Sequence, residues 1–199
     1  MSETVQIIGT PTTQITTSTL PYYPNAPVPQ DLGYQGWTSD PAQTATSTPT
    51  TAGTLYLAAI PVRSPCYIQN LHITLTAAAS GATPNQNWLG AYAPDGTMLG
   101  TPVDITNSLT TVGQPITADI GSQLLQAGWI WLAGTFNAST TQPQLASLPS
   151  TAFAATNGLL TTTAYRYTTN GTGLTTLPAS INPADNSESV MIPYWGAMS

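Results

Sequence analysis

The side chains that could carry acid–base or nucleophilic chemistry are few. His72 is the sole histidine, Cys66 the sole cysteine, lysine is absent, and the only cationic side chains are Arg63 and Arg166. A hydrolytic triad would have to rest on His72 alone, with no nucleophile elbow in the sequence, and the polar parity of His72 in its strand predicts a surface or edge position. Paired carboxylates could cut a glycosidic bond. Asp95 belongs to a turn, however, Asp104 and Asp119 flank strands, and Asp185 and Glu188 share a loop, so turn chemistry and solvation account for all five. Calcium at Asp104 with Asp119, or at Asp185 with Glu188, stays open, without the ligand spacing of an EF-hand to support it. A lone cysteine forbids an intrachain disulfide or a cysteine-based zinc cage, and it reads as a small buried hydrophobe in a strand. Asn137-Ala-Ser139 and Asn170-Gly-Thr172 match glycosylation sequons and read as turn residues. No catalytic residue, metal or cofactor is expected, and no enzyme.

Aromatic residues offer a better lead. Trp129 and Trp131 lie two apart in a strand and so point to one face, as do Tyr165 and Tyr167 around Arg166, and Trp88 shares a parity with Tyr92. Such residues either fill a core or form platforms that stack on sugar rings or enter protein interfaces. Ile130 and Leu132 occupy the opposite parity to the two tryptophans, so this strand is apolar on both faces. Both faces must be covered, and the cover expected for the outer one is a second subunit or a carbohydrate.

The elements that would hold these side chains are short strands. Leu55 to Ile60, Tyr67 to Thr76, Asn87 to Ala93, Met98 to Val103, Gln114 to Ile120, Gly128 to Asn137 and Ser189 to Ala197 are apolar or alternating runs bounded by turn residues. Leu71, Ile73 and Leu75 alternate with His72, Thr74 and Thr76, and Pro94-Asp95-Gly96-Thr97 predicts a tight hairpin. No window shows a clean 3.6 period. The fold class expected is all-β, an antiparallel β-sandwich of jelly-roll type spanning residues 53–199.

Residues 1–52 are instead rich in proline and threonine, which excludes helix and disfavours central strands. They read as an extended arm that docks on a partner, since a mere spacer has no use for Ile7, Ile8, Tyr22, Tyr23, Tyr34 and Trp37. No basic and apolar leader precedes them, so the chain is expected to be made in a cytoplasm.

The composition constrains partners. Only 5% of the 199 residues are charged, against 41% hydrophobic, and the net charge is −6; ordinary domains carry about 25% charged residues. Polarity comes from 36 threonines and 15 serines. Without clustered cations the chain is not expected to bind nucleic acid or anionic lipid, and no apolar run is long enough to insert in a membrane as a helix. Its assembly should rest on apolar and backbone contacts and be insensitive to salt.

Several stretches together resemble a known family. They are Gly53-Thr-Leu-Tyr-Leu-Ala; Tyr67-Ile-Gln-Asn-Leu-His-Ile-Thr-Leu; Asn85-Gln-Asn-Trp-Leu-Gly-Ala-Tyr-Ala-Pro-Asp-Gly-Thr-Met-Leu-Gly; Leu125-Gln-Ala-Gly-Trp-Ile-Trp-Leu-Ala-Gly-Thr-Phe-Asn; and Pro193-Tyr-Trp-Gly-Ala-Met-Ser. In order and spacing they are similar to the β-sandwich domain of minor tail and tail-fibre proteins of actinobacterial phages. The resemblance covers residues 53–199 and implies a virion component made in the bacterial cytoplasm. The expectation that follows is a homotrimer, anchored to other virion proteins by its arm and displaying a site for host-envelope glycan. A capsid decoration or head-fibre protein would share these features. The low charge favours neutral glycans, and the candidate contact residues are Trp129, Trp131, Tyr165, Tyr167, Trp88 and Tyr92.

Overall fold

The structure, a computed structural model, describes residues 27–149 and 156–199. Among these residues the fold is all-β, and its helical pieces are short turns. The strands are β1 (Gly36–Trp37), β2 (Ala45–Pro49), β3 (Leu55–Val62), β4 (Cys66–Ala77), β5 (Ser80–Ala82), β6 (Trp88–Tyr92), β7 (Met98–Asp104), β8 (Pro115–Leu125), β9 (Gly128–Thr135), β10 (Ala138–Thr141), β11 (Gln144–Ser147), β12 (Tyr167–Thr169) and β13 (Gly196–Met198).

They form two antiparallel sheets packed as a sandwich. One has the order β12-β3-β9-β6-β7. The other runs β1-β13-β4-β11-β2, with β8 on the far side of β4. A small β5–β10 ribbon lies apart from both. The inward parities of the long strands make the core: Tyr56, Ala58 and Ile60 of β3, Leu71, Ile73 and Leu75 of β4, Ile116, Ala118 and Ile120 of β8, and Ile130 and Leu132 of β9. The alternation that predicted β4 is thus the alternation that fills the core, because successive side chains of a strand leave on opposite faces.

The expected hairpin is present. β6 and β7 pair antiparallel around Asp95-Gly96, where Asp95 Oδ1 accepts from the Thr97 amide at 2.9 Å. Gly96 has φ +86°, and a Cβ there would run into the backbone carbonyl of Ile181, so only glycine fits. This hydrogen bond to Thr97 also holds the Asp95 carboxyl below its usual range.

Two expectations change. The run Ser189–Ala197 becomes regular strand only at Gly196; Val190 takes φ +51°, and Tyr194 before that point makes an isolated antiparallel bridge to Ser147. The proline- and threonine-rich segment joins the sandwich well before residue 53, since β1 pairs with β13 and β2 with β11. β1 and β2 are edge strands, the positions where proline-rich sequence is tolerated. Ile7, Ile8, Tyr22 and Tyr23 lie outside the described residues.

Candidate functional site

The outer parity of β3 reads Leu55, Leu57, Ala59, Pro61, then Arg63 just past the strand end, and the register places Ala59 opposite Trp131 and Pro61 opposite Trp129. One half of this face is sealed. Leu174, Leu177 and Ile181 pack on Leu55, Leu57, Tyr92, Trp131 and Ala133. The sealing segment is pinned by hydrogen bonds: Tyr92 Oη donates to the Pro178 carbonyl at 2.6 Å, and Trp88 Nε1 donates to the Thr175 carbonyl at 3.1 Å. Over Trp131 the second cover is therefore the chain itself, not the second subunit or carbohydrate expected.

The other half stays open as a cleft of about 460 Å3 at the flank where β1 meets the end of β3. Trp37 and Thr38 form one wall, Ala59, Pro61 and Arg63 the floor, and Trp129 with Leu160, Ala164 and Arg166 the rest. Sequence and hydrogen bonding fix each part. Thr38 is buried, its hydroxyl donating to the Tyr194 carbonyl and accepting from the Gly196 amide, both at 3.1 Å. Its carbonyl accepts from Arg166 Nη2 at 3.4 Å and from Tyr167 Oη at 3.4 Å. The Arg166 guanidinium lies 5.4 Å from the centre of the Tyr167 ring, within reach of a cation–π contact. The Ala59 amide donates to the Arg166 carbonyl at 2.6 Å, and Trp131 Nε1 donates to the Tyr165 carbonyl at 3.0 Å, so Arg166 is held on both sides of its own peptide.

Each aromatic candidate has a definite place. Trp131, Tyr92 and Tyr167 are fully buried, which corrects the reading of them as contact platforms. Burial raises the phenols of Tyr92 and Tyr167 above their ordinary range. Trp88 is half-buried and serves as an anchor of the covering segment. Tyr165 is half-buried and contributes its carbonyl to Trp131. Only Trp129, half-exposed and set edge-on to Trp131 at 4.4 Å between ring centres, lines the cleft.

Trp37 lines it too, while its other side packs with Tyr34 against Ala146, Trp195 and Ala197. The sequence alone suggests both as anchors for a partner; among the described residues they pack on their own sandwich. Tyr34 lies 5.2 Å from His72 and closes over it. His72 keeps its outward parity but is buried, with Nδ1 at 3.1 Å from Thr117 Oγ1 and Nε2 at 2.9 Å from Ser199 Oγ, and desolvation lowers its pKa. Cys66 is half-buried rather than buried, and its thiol is raised by partial burial.

The carboxylates are engaged locally. Asp104 Oδ1 accepts from the amide and hydroxyl of Thr106, Asp119 from Gln69 and the Gly121 amide, Asp185 from Asn182, and Glu188 from Asn157. Among the described residues no three histidine, cysteine or carboxylate groups converge as a metal-holding cluster. Sequence reasoning missed the buried amides. Asn87 accepts from the Asn137 amide and donates to Thr83 and Thr106, and Asn137 donates to Gln86 and Leu174. Asn157 brackets Tyr167, accepting from its amide and donating to its carbonyl. The asparagines of both sequons, Asn137 and Asn170, spend their side-chain amides on such bonds. The signal that could have found them is asparagine beside strand ends, where an amide can close a loop.

No family model matches the sequence, and no curated protein matches it.

Proposed function

We propose that the protein is a structural component of a bacteriophage virion, of minor-tail or tail-fibre type, whose sandwich displays a binding site for host-envelope glycan. The binding part rests on one observation: a cleft at the sandwich flank lined by two indoles, Trp37 and Trp129, and by polar groups and both arginines of the chain. Concave sites of this size with a few convergent polar groups bind small ligands, and an exposed indole beside hydrogen-bonding groups suits a sugar ring, which has an apolar face and polar edges. The virion part rests on the order and spacing of the strand motifs. In this reading the chain is a homotrimer, binds rather than cleaves, and gains host affinity by presenting several shallow sites at once.

The test has two arms. Immunogold labelling of phage particles should place the protein on the tail, and the isolated full chain should bind host cells. Binding should be lost in Trp129→Ala while the melting temperature holds. Absence of the protein from particles would overturn the assignment.

A second reading, a capsid decoration protein that clamps neighbouring subunits, draws on a different surface. Tyr67 and Leu124 face each other across β4 and β8 and are 67% and 55% exposed. A flat apolar pair of this kind fits contact with another protein better than with a sugar. Labelling on the head would favour it.

A further inference from the structure

The chain has two cationic side chains among 199 residues, and both line the same cleft. Neither is paired with a carboxylate among the described residues: the Arg166 guanidinium donates to the Thr38 carbonyl and lies by the Tyr167 ring, and Arg63 is exposed. None of the cleft's walls is acidic, and seven of the eight carboxylates lie elsewhere in the described structure, the eighth, Glu3, lying outside it. A protein of net charge −6 thus concentrates all of its positive charge at one small site. Two like charges gathered without counter-ions repel each other, and an anion placed between them reverses the sign of that energy.

We propose that the cleft takes the carboxylate of an acidic sugar, such as a uronic acid residue, held by Arg63 and Arg166 with the sugar ring laid against Trp129. The proposal rests on the reading of the cleft as a saccharide site and names its ligand class. Guanidinium groups match a planar carboxylate with two parallel N–H donors, a geometry that an ammonium lacks. Arg166 is already oriented by its bond to Thr38 and by the Tyr167 ring, so less side-chain freedom is lost on binding. The cleft volume of about 460 Å3 falls within the range of small-ligand pockets. The net negative charge of the chain, which by itself favours neutral sugars, acts weakly here because exposed charges beyond about 8 Å are screened at physiological salt. The field a ligand meets is that of the two nearby arginines.

The experiment titrates the full chain with methyl glucuronide, methyl glucoside and glucose 6-phosphate by ligand-observed NMR, at millimolar concentrations. The glucuronide should bind roughly tenfold or more tightly than the neutral glucoside, a difference that one charge-assisted hydrogen-bonded pair supplies, and its binding should weaken as salt rises. Arg63→Gln and Arg166→Gln should each bring its affinity down towards that of the glucoside. Both side chains are exposed, and should either variant fail to fold, the other carries the test. Equal binding of acidic and neutral sugar, no binding of the glucuronide, or indifference to both substitutions overturns the proposal. A tenfold preference for the sugar phosphate overturns the carboxylate assignment. Host-cell binding that disappears in Trp129→Ala but survives both arginine substitutions overturns it while sparing the adhesin reading. Glucuronide binding by a protein that ignores host cells supports it and removes the adhesin reading instead.

Discussion

On the outer face of the five-stranded sheet, Leu174, Leu177 and Ile181 lie over Leu55, Leu57, Tyr92 and Trp131, whereas on the outer face of the other sheet the cover is the segment carrying Tyr34 and Trp37. The first cover comes from sequence C-terminal to the strands it protects, the second from sequence N-terminal to them. Both stop short. Where the first ends, the exposed remainder of the face is Trp129 with two arginines nearby, a surface with both stacking and ionic character. Where the second ends, the outward parity of β8 is exposed, and the large apolar pair on it is Tyr67 beside Leu124. The difference teaches that the burial status of a strand's outer face is decided by how far a loop extends, and that the uncovered end is where the sequence is free to carry a ligand site or a contact surface.

The sealed half should be the costliest place to disturb. Trp131→Ala removes a fully buried indole and its hydrogen bond to the Tyr165 carbonyl, and should cost about 3–5 kcal/mol in denaturant unfolding. The same change releases the peptide next to Arg166, so ligand affinity at the cleft should fall with stability. A loss under about 1 kcal/mol would mean that the covering segment protects little.

The second cover is open to a gentler test through His72. Burial under Tyr34 lowers its pKa in the folded state, so the unfolded chain takes up a proton first as acid is added. Stability should therefore be level at neutral pH and decline as pH falls below about 6.5, the ordinary imidazole value. His72→Gln should flatten that decline in urea midpoints measured across the window. Asp95 and Asp119, both held low by hydrogen bonds, act only in a separate range below about pH 4. An identical decline in the glutamine variant would show that Tyr34 does not seal the histidine in solution.

The smallest effect is expected at the open apolar end. The pair Tyr67→Ser with Leu124→Ser should change unfolding free energy by no more than about 0.5 kcal/mol in a monomer, as exposed positions do. If light scattering shows an oligomer, a drop in its mass on this double substitution would mark the pair as the subunit contact, and an unchanged mass would remove it from that role.

Much of this was readable from residue types. The long strands follow their apolar alternation, and the outward parity of His72, Trp129 and Trp131 is as expected, because a period of two is set by backbone geometry alone. The short strands were not legible. β2, Ala-Thr-Ser-Thr-Pro, is an exposed edge with no apolar parity, and its pairing to β11 depends on a partner about a hundred residues away. Nor did parity reveal which outward residues are dry. Trp131 and Trp129 are equivalent in the sequence and differ because the segment carrying Leu174, Leu177 and Ile181, some forty residues later and without strand alternation, covers Trp131 and leaves Trp129 half-exposed. That the two arginines share one cleft was illegible for a related reason. They lie on β3's extension and beside β12, and only the pairing of those strands, 103 positions apart at Arg63 and Arg166, joins them.

β1 pairs with β13, and so Gly36 waits for Met198, a separation of 162 residues. At a synthesis rate of roughly 5–20 residues per second, the segment made early stays without its partner strand for about ten to thirty seconds. Trp37 and Thr38 travel with that strand, so the cleft wall is put in place only by the closing step of sheet assembly. A chain that has stalled short of this step has no complete cleft, and ligand binding becomes a readout of finished folding.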